Sequence, residues 1–244
     1  MSQIAQGAAA PVIIRGRPRP RRRRLATLVL VIIAIAGVGI LIGSPVAYIL
    51  WPRWSDHVAL DAPALPVSVG GMALNVPPAA VRVQQQRRTG AHERLDLVFL
   101  LPSLEPPAPA AKPTANDLPA LTDRIFVTIA RSDGTPPPPE RFKNIYPRYT
   151  EGAPIADSSG LRLQRFRKDT PYQSEDLLYD PTAPERFLVR CTRTSGPSPG
   201  ICLHEQRIGN TDIIVRFARE LLDDWRTLAR NIDQLIANLR SGSR

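Results

Sequence analysis

The sequence predicts an α+β fold: a mainly antiparallel β-sheet domain with a long C-terminal amphipathic helix packed on it, preceded by one transmembrane helix. Three observations predict it. Leu25 to Leu50 is a run of 26 residues without a charge. Segments that alternate apolar and polar residues recur from Pro66 to Arg219, and from Leu221 the apolar spacing turns helical. Period two marks strands and a 3.6-residue period marks a helix. Strands in succession followed by one long helix imply α+β architecture.

Residues 1–24 form an arginine-rich tail. It holds Arg15, Arg17, Arg19 and Arg21, Arg22, Arg23 and Arg24, and no acid. The whole chain of 244 residues has 32 basic and 22 acidic residues, a formal charge of +10. Without the tail's seven arginines the balance is 25 to 22, only mildly basic. The high charge therefore reports a tail and not a nucleic-acid-binding face, and nucleic acid is not an expected partner. Arginines outnumber lysines, which occur only at Lys112, Lys143 and Lys168, and prolines number 26. These residues have GC-rich codons, so their abundance reflects coding in a GC-rich bacterial genome before it reflects function.

Residues 25–50 are expected to span the bilayer as a signal-anchor. A helix of that length extends about 39 Å, enough for the roughly 30 Å hydrocarbon core with some tilt. Arg21 to Arg24 directly before it hold the N-terminus in the cytoplasm and suit anionic lipid headgroups; Tyr48, Trp51 and Trp54 suit the opposite interface. The run is long for a cleaved signal peptide, and Pro45 spoils the nearby cleavage sites. Gly39, Gly43 and Ala47 recur every fourth residue on one helix face, a pattern that lets two membrane helices pack closely. Residues 51–66 read as a linker and 67–244 as an exported domain, periplasmic if the host is Gram-negative.

In the exported domain, Pro66–Val69 and Met72–Val76 flank Gly70-Gly71 and predict a hairpin. Ala80 to Val83 is expected to extend that sheet. Arg94 to Leu101 and Arg124 to Arg131 are strongly alternating strands. The proline-rich stretch 102–120 between them predicts an extended, mobile loop. Pro136 to Pro139 leads into a short helical segment, Glu140 to Tyr146. Leu161 to Phe166, Asp176 to Tyr179, Glu185 to Thr192, Ile201 to Ile208 and Thr211 to Arg219 complete the strands. Leu221, Trp225, Leu228, Ile232, Leu235 and Leu239 then define the helix stripe expected to cover the sheet.

Cys191 and Cys202 are the only cysteines, each in an expected strand with a turn-rich segment between. Strand pairing would bring them face to face, and an oxidising compartment would keep a disulfide. Their spacing is not that of a redox C-x-x-C, and two cysteines with one nearby histidine do not make a zinc site.

No catalytic motif emerges. His57 lies in the linker, His92 in an expected surface turn, and His204 and Glu205 on opposite faces of a strand. Ser158-Ser159-Gly160 lacks the nucleophile-elbow context. No catalytic, cofactor or metal residue is assigned and no cofactor is implied, and whether the chain is an enzyme stays open. The expected role is a non-catalytic binding or accessory subunit in the cell inner membrane. Its partners would be the lipid bilayer and another protein, or a second copy through the transmembrane helix or exported domain. The alternatives are an envelope hydrolase with a non-sequential site, and a lipid- or small-ligand-binding module with a cavity beneath Trp225.

Overall fold

The computed structural model describes residues 58–108, 123–193 and 200–241. The expected transmembrane segment, Arg21 to Arg24, and Gly39, Gly43 and Ala47 lie outside the described residues, as does most of the 102–120 loop. No helix among the described residues is long and apolar enough to cross a membrane.

The first hairpin is as expected. β1 (Leu65–Val69) pairs antiparallel with β2 (Met72–Val76), with Val69 opposite Met72. Gly70 and Gly71 both take positive φ, at 57° and 88°. A two-residue turn of that hand matches the twist of the strands, and only glycine adopts it without strain. The segment after it does not extend the sheet as expected. Pro77 and Pro78 start a short 3-10 turn, Pro78–Ala80, and Val81 then bridges Leu97 of the main sheet. The third strand is instead β3 (Gly90–His92), parallel to β1. His92, expected on the surface, is buried there, and its Nε2–H donates to the Arg88 carbonyl at 2.9 Å.

The main sheet has eight antiparallel strands. They are β4 (Arg94–Leu100), β5 (Arg124–Arg131), β6 (Thr150–Ala156), β7 (Arg162–Phe166), β8 (Glu175–Tyr179), β9 (Leu188–Thr192), β10 (Ile201–Ile208) and β11 (Thr211–Ala218). Their spatial order is β4-β5-β11-β10-β9-β8-β7-β6. β4 and β5 are a pair, and β6 to β11 form a meander whose last strand returns beside β5. The β5–β6 connection must therefore reach the far edge of the sheet. It carries α1 (Pro138–Asn144), which has prolines in its first turn, and a 3-10 turn, Tyr146–Arg148.

After β11 a 3-10 segment, Arg219–Asp224, leads into α2 (Trp225–Ser241). Asp224 caps the helix, its Oδ1 accepting from the Thr227 N–H at 3.3 Å. The expected stripe is buried: Trp225, Leu228, Ile232, Leu235 and Leu239, joined by Ile236. It forms one core with Val67, Val69, Leu74 and Val76 of the small sheet and Leu95, Leu97, Phe99, Ile125, Val127, Ile129, Ile213, Val215 and Phe217 of the large one. Trp225 stacks on Phe187, centroids 5.0 Å apart, and its indole N–H donates to the Ser159 carbonyl. Side chains thus fill the space beneath Trp225, where a small-ligand module would need room.

Cys191 and Cys202 are register partners on β9 and β10, disulfide-bonded and fully buried within this core.

Candidate functional site

The opposite face of the main sheet decides where a site can form. Across the register, Leu177, Arg190, Leu203, Arg216, Phe126 and Val98 make one row on that face. The β5–β6 connection covers only part of it. Tyr146, Phe166, Leu177 and Leu188 form a second small core with Phe142, Tyr149, Tyr172 and Tyr179. Edge-to-face ring contacts hold it together, including Tyr146–Phe166 and Phe142–Tyr179. Arg190 is enclosed here: it pairs with Glu175 at 2.8 Å, lies 3.7 Å from Glu205, and sits over the Tyr172 ring. Glu205 also holds Arg141 of α1 at 2.9 Å.

Beyond that cover lies the face of β4, β5 and β11, reached at the β4 edge by Arg82 and Gln86. The face there is a groove of about 420 Å³, lined by Arg82, Arg94, Arg124 and Arg216 around Phe126, Thr128, Ile201 and Asp96. Arg82 follows the Val81 bridge and stacks over Phe126 at 4.7 Å, a cation–π contact that holds the guanidinium above the groove. Arg216 shares its row with Arg190 but meets no acid among the described residues: its Nη1 donates to Thr128 Oγ1 at 3.3 Å. Arg124 lies 3.8 Å from Asp123, and its buried Nε has no hydrogen-bond partner. Ile201 is 45% exposed.

Asp96 organises the floor. It accepts from Arg94 at 2.8 and 2.9 Å, from Thr128 Oγ1 at 2.9 Å and from Gln86 Nε2 at 3.1 Å. Gln86 closes the ring by accepting the Asp96 backbone N–H at 2.8 Å. The Arg94 bonds, with help from Gln86 and Thr128, lower the Asp96 pKa to about 2 against the opposing effect of burial. A carboxylate so held is an acceptor with its lone pairs engaged; it has no proton to donate near neutrality.

Other candidate chemistry is committed elsewhere. Ser159 Oγ donates to Asp157 at 2.8 Å within a turn. His204 is buried, stacks on Phe187, and its Nδ1–H donates to the Leu188 carbonyl; burial lowers its pKa. Glu205 points to the other face, as its position on the strand requires. Among the described residues, no three His, Cys, Asp or Glu side chains gather to hold a metal ion.

The sequence pattern did not single out the groove residues. One signal was present: Phe126 and Val98 are apolar at outward positions of β5 and β4, where a solvent-facing strand would carry polar groups.

No protein-family model matches the chain, and no curated protein matches it. Two solved structures resemble it. Smlt3025, an immunity protein of the Stenotrophomonas maltophilia type IV secretion system, aligns with a TM-score of 0.51 at 15% identity, over 76% of this chain and 99% of that one. The Neisseria meningitidis iron-regulated outer membrane lipoprotein FrpD aligns at 0.39 and 8% identity, over 74% of this chain and 99% of its own. The first likeness is one of fold; the second adds nothing to it.

Proposed function

We propose that this chain is a single-pass envelope protein whose exported domain acts as a non-catalytic binding or accessory subunit for another protein. The observation that carries the proposal is the groove on β4, β5 and β11. It gathers half-buried apolar side chains and arginines in a groove on a sheet face beyond the β5–β6 connection, while its carboxylate is fixed as a hydrogen-bond acceptor. Exposed apolar area rimmed by charge is the usual make-up of a recognition surface.

The anchor reading belongs to the same proposal. The uncharged 25–50 run would cross the inner membrane, with Arg21 to Arg24 on the cytoplasmic side and residues 67–244 in the periplasm. Gly39, Gly43 and Ala47 would offer a helix-pairing face for a second copy or a partner helix. The fold is one that an immunity protein also uses. That is compatible with a protein-binding role and transfers no residue.

The test is cross-linking in the native membrane followed by gentle detergent extraction. The proposal expects a stable hetero-complex or homo-oligomer. Recovery of a free monomer alone would sink it. A reporter that works only outside the cytoplasm, fused to the C-terminus, should be active; activity of a cytoplasm-only reporter would reverse the orientation.

A further inference from the structure

We infer that the groove on β4, β5 and β11 takes an extended acidic segment of a partner protein, one that carries both carboxylates and apolar side chains on the face it presents. This rests on the protein-binding reading above and names the chemistry of the partner.

The first argument is charge. Of the four arginines around the groove, Arg94 is neutralised by Asp96 and Arg124 faces the solvent-exposed Asp123. Arg82 and Arg216 have no carboxylate partner among the described residues. The comparison with Arg190 makes this informative. Arg190 and Arg216 lie in one row of the same face, and where the fold covers the row it supplies Glu175 and Glu205. At Arg216 the described residues supply only the Thr128 hydroxyl. The missing complement is a carboxylate, which the planar guanidinium fork binds with two parallel hydrogen bonds.

The second argument is shape and polarity. Phe126 lies beneath Arg82, and Ile201 stands exposed at the β10 side. A ligand that met only the guanidiniums would leave these apolar groups in water. A peptide in extended form places every second side chain on one face, so acids and apolar groups that take turns at those positions can reach the arginines and cover Phe126 and Ile201 together. An anionic bilayer fits less well. Its charge is a flat layer, whereas the site is concave.

The probe is a fluorescein-labelled octapeptide with glutamate, valine, glutamate and phenylalanine at its odd positions and serine between them, titrated by anisotropy into the full-length chain in neutral detergent at low salt. A matched peptide carries glutamine in place of glutamate. The acidic peptide should bind about tenfold more tightly than its glutamine counterpart, and the difference should shrink with added salt. R82E/R216E should abolish that preference, R82Q/R216Q should reduce it, and the exposed helix variant R226E should leave it unchanged. Circular dichroism checks that each variant is folded, and the glutamine pair keeps the test decisive if charge reversal disturbs the sheet. Equal binding of the two peptides, or undiminished preference in folded R82Q/R216Q, overturns the inference. Retention on vesicles of 70% phosphatidylcholine and 30% phosphatidylglycerol that these variants lose, without peptide preference, also overturns it in favour of a membrane surface.

A photo-cross-linker in place of Ile201 supplies the second arm. Adducts rich in aspartate or glutamate support the inference; an internal adduct to residues 109–122 overturns it. If native cross-links persist unchanged in R82Q/R216Q, the groove assignment fails while the protein-binding reading stands. If the wild-type chain yields none, the reading itself fails.

Discussion

Reducing the Cys191–Cys202 bond should destabilise the folded domain by about 3 kcal/mol, through the unfolded chain more than the folded one. The two cysteines are direct register partners, 11 residues apart in sequence. For a loop of that length the chain-entropy relation gives about 3 kcal/mol at 25 °C. The folded side has little to lose. Leu203–Arg190 and His204–Val189 keep the strands paired beside the bridge. The Ile201 N–H bonds Thr192 Oγ1 at 2.8 Å, and the Arg219 N–H bonds the Gly200 carbonyl at 2.7 Å. Two reduced thiols also occupy nearly the same volume, so no cavity opens. For a domain of this size the loss corresponds to a fall in Tm of roughly 6–12 °C. The assay is urea unfolding of the full-length chain in neutral detergent, followed by circular dichroism. It compares oxidised protein with protein reduced while unfolded and then refolded under reductant. Midpoints that coincide within about 0.5 kcal/mol would refute the reasoning, because the bridge would then close a loop already closed in the unfolded state.

Three further outcomes are expected. Asp176, whose side chain is 8% exposed, receives Arg193 at 2.8 Å and Arg219 at 3.0 Å; Asp176→Asn leaves both without a counter-charge and should cost roughly 2–4 kcal/mol in urea unfolding, a loss under 1 kcal/mol counting against a structural role. Gly70→Ala should cost at least about 2 kcal/mol more than Gly71→Ala: both glycines have positive φ, but a Cβ at 70 would overlap the Asn210 carbonyl oxygen while one at 71 meets nothing, so equal costs would discount that contact. Asp96 has its folded pKa lowered from 3.8 to about 2, so the stability it contributes is present above about pH 4 and lost as pH falls towards 2. Its contribution is on the order of 2 kcal/mol, and Asp96→Asn should flatten that part of the acid-unfolding profile; an unchanged profile would reject the assignment.

Much of the fold is legible from the chain because local pattern and tertiary environment agree. β4, β5 and β11 each bury every second side chain along most of their length, and that set is the core. β6 was not legible. Thr150–Ala156 contains Gly152 and Pro154 and is exposed along nearly its whole length. It is a strand only because β7 offers an edge to pair with, and even there the register shifts between Glu151 and Ile155. β3 is three residues long and exists through its parallel pairing with β1, which no local signal announces. The sheet order was equally hidden, because β11 pairs with β5 across more than 80 residues of chain. His92 was misplaced for the same reason: its burial depends on β1, not on its neighbours in sequence.

The chain's own pattern determined the features that act locally. They are the uncharged run with its arginine flank, the Gly70-Gly71 hairpin, the amphipathic stripe of α2, and two cysteines on strands near enough to pair. Each rests on periodicity, charge or spacing within a short window, and there a few residues suffice. Tertiary structure alone decided which part of the sheet face the β5–β6 connection covers. Three arginines of the groove lie on separate strands and Arg82 lies after the Val81 bridge; in sequence they differ little from Arg190, which is enclosed. What separates Arg216 from Arg190 is where the β5–β6 connection stops covering the sheet, a long-range consequence of strand order that no short window contains.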